Sequence, residues 1–219
     1  MFFIGDVHGN MYEYLSIVNN LDGSSVQIGD FGYGFAWDKV YPPANLDMKH
    51  RIFAGNYDSP SKALEHPNFL GRFGYIKKPD VFYVGGEYSI DKAVRTPGKS
   101  WWADEELSVR EMDECLELYC KIKPSIVASH GCPQSIVDRV METAYILGVA
   151  MTNRPTYYSS TSKLLQRMYE IHEPEVWVFG HYHVGWQGVV GSTYFKCLAP
   201  LEVYQVRTRD EIVPKEQLQ

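Results

Sequence analysis

The chain has few cysteines, no excess of positive charge and no long apolar segment. Its four cysteines are scattered over 219 residues without a Cys-x-x-Cys pair, so we expect reduced thiols rather than a disulfide scaffold. Lys and Arg together number 21 against 27 Asp and Glu, which argues against a protein that packages nucleic acid with a basic face. No segment approaches the ~20 apolar residues that a membrane-spanning helix needs, so no membrane partner is expected.

The length and the composition are typical of a globular protein. The chain is 45% hydrophobic and 22% charged, and it contains no internal repeat. We therefore predict a single domain over residues 1–219. The first residues lack the basic region and the apolar core of a secretion signal. Because the chain begins directly on a predicted strand, we expect a cytoplasmic protein.

Short apolar segments that stop at a glycine or a polar cluster recur along the chain, which is typical of buried strands that feed loops. They are residues 1–4, 25–28, 51–54, 125–129 and 176–179. Amphipathic segments with helical spacing cover residues 11–21, 105–121, 134–147 and 162–172. This alternation of strands and helices predicts an α/β fold. Two glycine-containing, strand-like regions, 69–88 and 184–206, further indicate a mixed sheet or two packed sheets.

The side chains that carry chemistry follow the five predicted strands. They are Asp6, His8, Asp30, Asn56, His130, His181 and His183. In open α/β sheets the ligand lies outside the carboxyl ends of the strands, and these clusters occupy that position. Asp6 and His8 are two residues apart on extended backbone, so both can reach one ion. Singly, most of these are ordinary turn residues. Together, imidazole and carboxylate donors suit Mn²⁺, Fe or Zn²⁺.

In this order the motifs resemble the calcineurin-like metallophosphoesterase superfamily, and most of the chain is covered. The motifs are Asp6-x-His8, Gly29-Asp30, Gly55-Asn56-Tyr57-Asp58, His130 and Gly180-His181-x-His183. Among family members, the chain looks most like the compact bacterial and phage type. The resemblance implies a four-layer α/β/β/α sandwich with two mixed sheets, which fits the two sheets suggested by the strand pattern.

The resemblance also implies two sets of metal ligands. Asp6, His8, Asp30 and His183 would hold one divalent ion. Asp30, Asn56, His130 and His181 would hold the other, so that Asp30 bridges the pair. Manganese is the expected metal, with iron, zinc, nickel and cobalt as alternatives. The residues implied in catalysis are Asp30, Asn56, Tyr57, Asp58 and His130.

The implied activity is phosphoester hydrolysis by a hydroxide that bridges the two ions. A phosphodiesterase or a nucleotide hydrolase is the leading hypothesis. A broad-specificity phosphomonoesterase is the first alternative, and a non-catalytic protein-binding scaffold of the same fold is the second. The expected partner is a small phosphoester or a nucleotide; a nucleic-acid substrate stays open despite the lack of a basic patch. Exposed strand edges leave a homodimer open as well.

Two positions depart from the family pattern. Tyr57 stands where the family has His. Because the reference pKa of a tyrosine is about 10, it is a poorer proton shuttle than His, so leaving groups that need little protonation are favoured. Asp58 would orient Tyr57; alternatively Tyr57 only packs and no residue acts as the acid. The Arg that protein phosphatases carry after Gly-Asp is missing, which disfavours a protein substrate. Here that segment is rich in aromatic residues, which either line the site or pack in the core.

Arg95, Trp101 and Trp102 leave two interpretations open. Arg95 either meets phosphate or is a solvated charge, which is the commoner case for a basic side chain. The two tryptophans either form a stacking platform for a base or hold a loop on the body of the protein.

Overall fold

The computed structural model describes residues 1–35, 45–150 and 158–206. Its strands in these ranges are Phe2–Ile4 (β1), Ser25–Ile28 (β2), His50–Phe53 (β3), Phe73–Ile76 (β4), Val81–Val84 (β5), Ile126–Ser129 (β6), Val176–Phe179 (β7), Trp186–Val190 (β8), Thr193–Cys197 (β9) and Val203–Gln205 (β10). Its α-helices are Met11–Asn20 (α1), Pro60–Ala63 (α2), Val109–Ile122 (α3), Gln134–Ile146 (α4) and Ser160–Ile171 (α5). A short 3-10 helix covers Lys92–Val94.

Local sequence signals fix where the helices begin. Ser108, the N-cap candidate within the predicted helical segment 105–121, forms a reciprocal capping box with Glu111, so α3 starts at Val109. Ser159 caps α5 by accepting a hydrogen bond from the Ser162 N–H. The other predicted strands and helices agree with the observed ones to within two residues at each end.

The strands form two mixed sheets. The first has the order β10-β1-β2-β3, and the second has the order β4-β5-β6-β7-β9-β8. Strands β1, β2 and β3 are parallel to one another, as are β5, β6, β7 and β9. In each sheet, therefore, the carboxyl ends of the central strands meet at one edge.

The two sheets pack face to face, and helices cover their outer faces. In β7 the alternation of side chains is clear, since Val176 and Val178 join the core shared with the first sheet. Trp177 and Phe179 join the core beneath α3, α4 and α5. On the other side, Tyr14 and Val18 of α1 pack against the first sheet. The predicted four-layer α/β/β/α sandwich with two mixed sheets is thus confirmed.

Among the residues that the structure describes, none of the helices combines the length and apolar character required to cross a bilayer.

Candidate metal centre

Five strand ends converge on one cluster, which we call the candidate metal centre. It consists of Asp6 and His8 after β1, Asp30 after β2, Asn56 after β3, His130 after β6, and His181 and His183 after β7. Four of these residues have left-handed backbone, at His8, Asp30, His181 and His183, with φ between 46° and 69°. Positive φ is uncommon outside glycine and concentrates at functional sites. The turns after these strands therefore hold the side chains at a local conformational cost.

Asp6, His8, Asp30 and His183 form the first donor group, with one donor atom of each within 4.8 Å of the others. The Nε2 atoms of His8 and His183 lie 2.8 Å apart. Asp6 Oδ2 lies 3.3 Å from the His183 Nε2 and 3.6 Å from the His8 Nε2. Asp6 is fully buried, whereas the two imidazoles are partly exposed. The group therefore opens to solvent on its imidazole side.

Asp30, His130 and His181 form the second donor group, again within 4.8 Å. His130 Nε2 lies 3.1 Å from Asp30 Oδ1 and 3.1 Å from the Asn56 Oδ1. His181 Nδ1 lies 3.0 Å from the same Asn56 oxygen. Asp30 belongs to both groups, so its carboxylate lies between them. These are the two ligand sets that the resemblance implied, although their roles toward metal stay a proposal.

The atoms of this cluster fit divalent cations. Asp6 Oδ2 is buried and accepts no hydrogen bond within the described part of the chain. His130 Nδ1 faces the Ile28 carbonyl oxygen at 2.9 Å, so a proton on Nδ1 leaves the Nε2 lone pair facing Asp30 and Asn56. A Cβ at Gly55 would lie 2.6 Å from His130 Nε2, which explains the glycine at this position. Buried carboxylate and neutral imidazole are donors that Mn²⁺, Fe and Zn²⁺ accept.

The electrostatics of the cluster also favour a cation. Burial lowers the pKa of His130, but the carboxylate of Asp30 outweighs this effect and raises it to about 10, so a proton occupies Nε2 at neutral pH until a metal ion replaces it. Burial raises the pKa of Asp6, but the imidazoles of His183 and His8 beside its carboxylate hold it well below its usual range. Burial and the neighbouring His130 lower the pKa of His181 to about 3, which keeps this imidazole neutral and able to ligate. Two buried carboxylates thus require positive charge beside them.

A hydrogen-bonded network outside the predicted motifs orients Asn56. The Asn56 Nδ2 donates to Ser89 Oγ at 3.1 Å, and the Ser89 hydroxyl donates to Glu105 Oε2 at 2.5 Å. Arg95 donates to the same Ser89 oxygen at 3.0 Å. Since the amide nitrogen is engaged by Ser89, the carboxamide oxygen must face the two imidazoles of the second group. Ser89 and Glu105 are buried, and no motif in the sequence indicated them.

Tyr57 is fixed by its neighbours at the edge of the cluster. Its ring lies edge-on to His8 with centroids 4.9 Å apart, and it stacks on Phe35 at 4.8 Å. The guanidinium carbon of Arg95 lies 3.8 Å from the centre of the Tyr57 ring. The Tyr57 N–H donates to Asp30 Oδ1 at 2.8 Å. Burial raises the pKa of the phenol, so its hydroxyl stays protonated at neutral pH.

The Asp58 carboxylate accepts hydrogen bonds from backbone N–H groups and not from the Tyr57 side chain. Each of its hydrogen bonds within the described residues comes from a main-chain N–H, at distances between 2.6 and 3.1 Å. The donors are Phe31, Gly32, Tyr33 and Gly55. Burial and the charge of Asp30 raise the pKa of Asp58 to about 6, so it is largely ionised at pH 7. We therefore assign Asp58 to bracing the loops after β2 and β3, instead of the orienting role that the resemblance implied.

The aromatic residues near the cluster mostly pack. Phe31 and Tyr33 are fully buried, and Phe31 contacts Tyr14 of α1 with ring centroids 5.0 Å apart. Trp102 is 8% exposed and lies against Phe35 at 6.0 Å. For Trp102 the structure thus favours holding a loop on the body of the protein. The Arg95 side chain is only 6% exposed, so it is not a solvated surface charge.

A cavity of about 650 Å³ leads from the candidate metal centre. It is lined by cluster residues together with Tyr57 and Arg95. It is also lined by residues of α4, by the turn after that helix and by the start of α5. The volume lies in the range of sites that bind organic molecules. A ligand at the cluster can therefore extend well beyond a phosphate group.

Glu87 is a buried acid on the wall of this cavity, and we expect Glu87→Gln to stabilise the protein at alkaline but not at acidic pH. Burial raises its pKa from 4.5 to about 7. Between these values the unfolded chain releases a proton that the folded protein retains, so wild-type stability falls as the pH rises from 4.5 to 7. The loss reaches up to ~3 kcal/mol and persists above pH 7. A glutamine at this position cannot ionise, so the free energy of unfolding of the variant does not show this loss.

Urea denaturation at about pH 4.5 and about pH 8.5 measures this difference. Glu117→Gln, at an exposed position of α3, is the matched control and should leave the free energy of unfolding unchanged at both pH values. An equal stability difference between wild type and Glu87→Gln at both pH values would contradict the assignment.

The comparisons with known proteins agree with this geometry. The family model for calcineurin-like phosphoesterases matches residues 1–185. The chain therefore belongs to the calcineurin-like phosphoesterase family, whose members depend on two metal ions, and it is a phosphoesterase. A search of curated proteins found no match.

Two solved structures are weakly similar. Protein TT1561 of Thermus thermophilus is 12% identical, with 91% of this chain and 89% of that chain covered at a TM-score of 0.48. A phosphopantetheinyl hydrolase, PptH, from Mycobacterium tuberculosis is 11% identical, with the same two shares covered at a TM-score of 0.45. The family assignment rests on the family model and not on these two likenesses.

Proposed function

We propose that this phosphoesterase is a dinuclear metal-dependent hydrolase of phosphodiesters or nucleotides. The observation that carries the proposal is the position of Asp30, whose carboxylate belongs to both donor groups. Two donor groups that share one carboxylate are the arrangement that a pair of ions bridged by a protein ligand requires. The non-catalytic scaffold alternative is set aside, because the chain belongs to an enzyme family.

We assign the first ion to Asp6, His8, Asp30 and His183, and the second to Asp30, Asn56, His130 and His181. When bound, the ions supply Lewis acidity toward phosphoryl oxygens and lower the pKa of a water that serves as the nucleophile. The protein's own contribution is to hold the donor atoms in place before substrate arrives, which reduces the reorganisation required in the transition state.

Residues around the cluster supply this positioning. The Tyr57 N–H fixes the Asp30 carboxylate through a 2.8 Å hydrogen bond. Ser89 fixes the Asn56 carboxamide. Arg95 brings a positive charge to the cavity wall next to the cluster, although Asp91 at 2.7 Å partly neutralises it. An anionic phosphate would gain from this charge in a partly desolvated site.

The preference for diesters and nucleotides follows from Tyr57 and from the cavity. A phenol whose pKa is raised by burial is a weak proton donor, so a leaving group that departs as a stable anion is favoured. The cavity of about 650 Å³ also accommodates an organic group on the phosphate. A broad-specificity phosphomonoesterase stays the alternative.

Turnover of aryl and alkyl esters tests this preference. Wild type, chelated and reloaded with Mn²⁺, should hydrolyse bis(p-nitrophenyl) phosphate faster than p-nitrophenyl phosphate, and glycerol 2-phosphate most slowly. Tyr57→His should raise the rate on glycerol 2-phosphate by ~10²-fold, since it introduces a general acid with a pKa near neutrality, and should change the rate on the aryl diester little.

Tyr12→His is the matched control for this change, because Tyr12 is 85% exposed on α1. It should leave all three rates at the wild-type level. Monoester turnover ahead of diester turnover in wild type would favour the phosphomonoesterase alternative. Unchanged alkyl-ester turnover in Tyr57→His would show that position 57 does not reach the leaving group.

Manganese as the native metal, a cytoplasmic location and a homodimer stay proposals. The imidazole and carboxylate donors support manganese but suit iron and zinc as well. All four cysteines are free thiols, which supports a reducing compartment. For the homodimer, exposed sheet edges such as β8 and β10 provide the support.

A further inference from the structure

The cavity next to the candidate metal centre has two kinds of wall. Cluster residues, Tyr57, Arg95 and Asp91 form polar and charged walls. A set of aliphatic residues from α4 and the turn after it forms an apolar wall, which we call the apolar chamber. The chamber consists of Val137, Met141, Ala144, Val149 and Ala150.

Backbone N–H groups beside the apolar chamber are engaged in the turn after α4. Val137, Met141 and Ala144 lie on α4 at spacings of four and three residues, so they share one face of the helix. After the helix ends, the chain turns back, and the N–H groups of Val149 and Ala150 both donate to the Ala144 carbonyl oxygen, at 2.8 and 3.1 Å. This turn places two further aliphatic side chains beside the helix face.

The polar groups at the start of α5 are already engaged. Ser159 Oγ accepts the Ser162 N–H at 2.8 Å, and the Ser162 hydroxyl donates to the Ser159 carbonyl oxygen at 3.0 Å. Both hydroxyls serve the helix cap, although both residues line the cavity. Glu87 Oε1 accepts the N–H of Tyr88 at 2.9 Å, whereas its Oε2 is buried and accepts no hydrogen bond from the described residues. Apart from this carboxyl group, this part of the cavity offers mainly van der Waals contact to a ligand.

We propose that the apolar chamber is a binding site for an aliphatic or aryl arm of the substrate, whose phosphate lies at the candidate metal centre. The proposal rests on the proposed function, because it needs a phosphate held at the cluster. The cavity runs from the cluster to the chamber without a break, so a phosphate bound at one end directs a substituent toward the other. Of the two substrate classes proposed above, this favours a phosphodiester with an apolar arm over a nucleotide, whose phosphate carries a polar sugar.

Burial of methylenes gives the chamber a measurable signature. Each methylene that moves from water into an apolar site strengthens binding by about three- to fourfold. A ligand series that keeps the phosphorus headgroup and lengthens one alkyl arm should therefore bind more tightly at each step, until the chamber is filled. A site that recognises only the headgroup would show no such gradient.

Calorimetric titration of the Mn²⁺-loaded protein with n-alkylphosphonates, from methyl to hexyl, tests the proposal without turnover. Each probe has one arm and a P–C bond that hydrolysis does not cleave. We expect Kd to fall by about 10²- to 10³-fold from methylphosphonate to hexylphosphonate in wild type. Met141→Gln should reduce the ratio of the methylphosphonate Kd to the hexylphosphonate Kd by at least about tenfold. It should leave the Kd of methylphosphonate itself unchanged.

Ile146→Gln is the matched control, because Ile146 lies on the same helix, is 73% exposed and does not line the cavity. It should keep the wild-type gradient. Equal Kd values along the series would show that the apolar chamber does not bind the alkyl arm, while the phosphate site would stand. A gradient that survives in Met141→Gln would place the arm elsewhere and would also overturn the chamber. Failure of every phosphonate to bind, methylphosphonate included, would overturn both the chamber and the proposed function.

Discussion

Asp30→Asn is expected to lower kcat/KM for bis(p-nitrophenyl) phosphate by at least ~10³-fold. The Asp30 carboxylate lies in both donor groups and is 1% exposed. An amide at this position offers one neutral oxygen where the carboxylate offers two anionic ones, so it cannot serve both groups. A loss of several kcal/mol of transition-state stabilisation corresponds to this factor.

The measurement compares steady-state hydrolysis of wild type, Asp30→Asn and Asp22→Asn after identical Mn²⁺ loading. Asp22 is an exposed aspartate between α1 and β2, so its variant should retain the full rate. Asp30→Asn should still unfold in one cooperative transition, since the substitution keeps the volume, but its thermal midpoint in Mn²⁺ should lie below that of wild type because it binds fewer ions. Retention of more than about a tenth of wild-type activity by Asp30→Asn would contradict the bridging assignment.

Asp58→Ala is expected to lower the free energy of unfolding by about 3–5 kcal/mol. The carboxylate is fully buried and accepts four backbone N–H groups, at 2.6 to 3.1 Å, from the loops after β2 and β3. Its removal leaves these donors buried without a partner, and an unsatisfied buried donor costs ~1–3 kcal/mol. Because these loops carry Asp30 and Asn56, turnover should fall as well.

Urea denaturation at pH 7 measures the loss, with Asp22→Ala as the exposed control. The shift should appear in the midpoint, with the m-value unchanged. A loss below about 1 kcal/mol would show that the four hydrogen bonds are replaced or unimportant. A full loss of activity with unchanged stability would instead support direct participation of Asp58 in the reaction.

The strands and the cluster could be predicted from the sequence because each depends on local patterns. Residues 25–28 and 176–179 are short apolar segments that end at glycine, and both are strands with those bounds. The parallel order of such strands brings their carboxyl ends together. For this reason Asp30 and His181, 151 positions apart in the chain, lie in one donor group.

Other parts of the site depend on packing between distant segments, which no local pattern reports. Arg95 follows a 3-10 helix in an irregular region, and the sequence gives no sign that it lies on the Tyr57 ring. The motif predicts Asp58 but not the direction of its carboxylate, which is set by four N–H groups from two loops. No local pattern indicates Glu87 either, because the glycine that lies against its carboxyl group, Gly131, is distant in the chain.

The apolar chamber could not be predicted for a related reason. The residues Val137, Met141 and Ala144 are spaced as on any amphipathic helix, where such a stripe usually faces the core. Val137 and Ala144 are indeed buried. Only the three-dimensional arrangement shows that the same stripe also lines a cavity that reaches the candidate metal centre.

The most direct test of the dinuclear centre is a Mn²⁺ titration of chelated protein in which bound metal and hydrolysis of bis(p-nitrophenyl) phosphate are measured in the same samples. We expect about two ions per chain at saturation and a rate that rises with occupancy of the second site. Asp30→Asn should bind fewer ions and show no such rise. Undiminished hydrolysis by the chelated protein, or full activity with a single ion bound, would contradict a dinuclear centre.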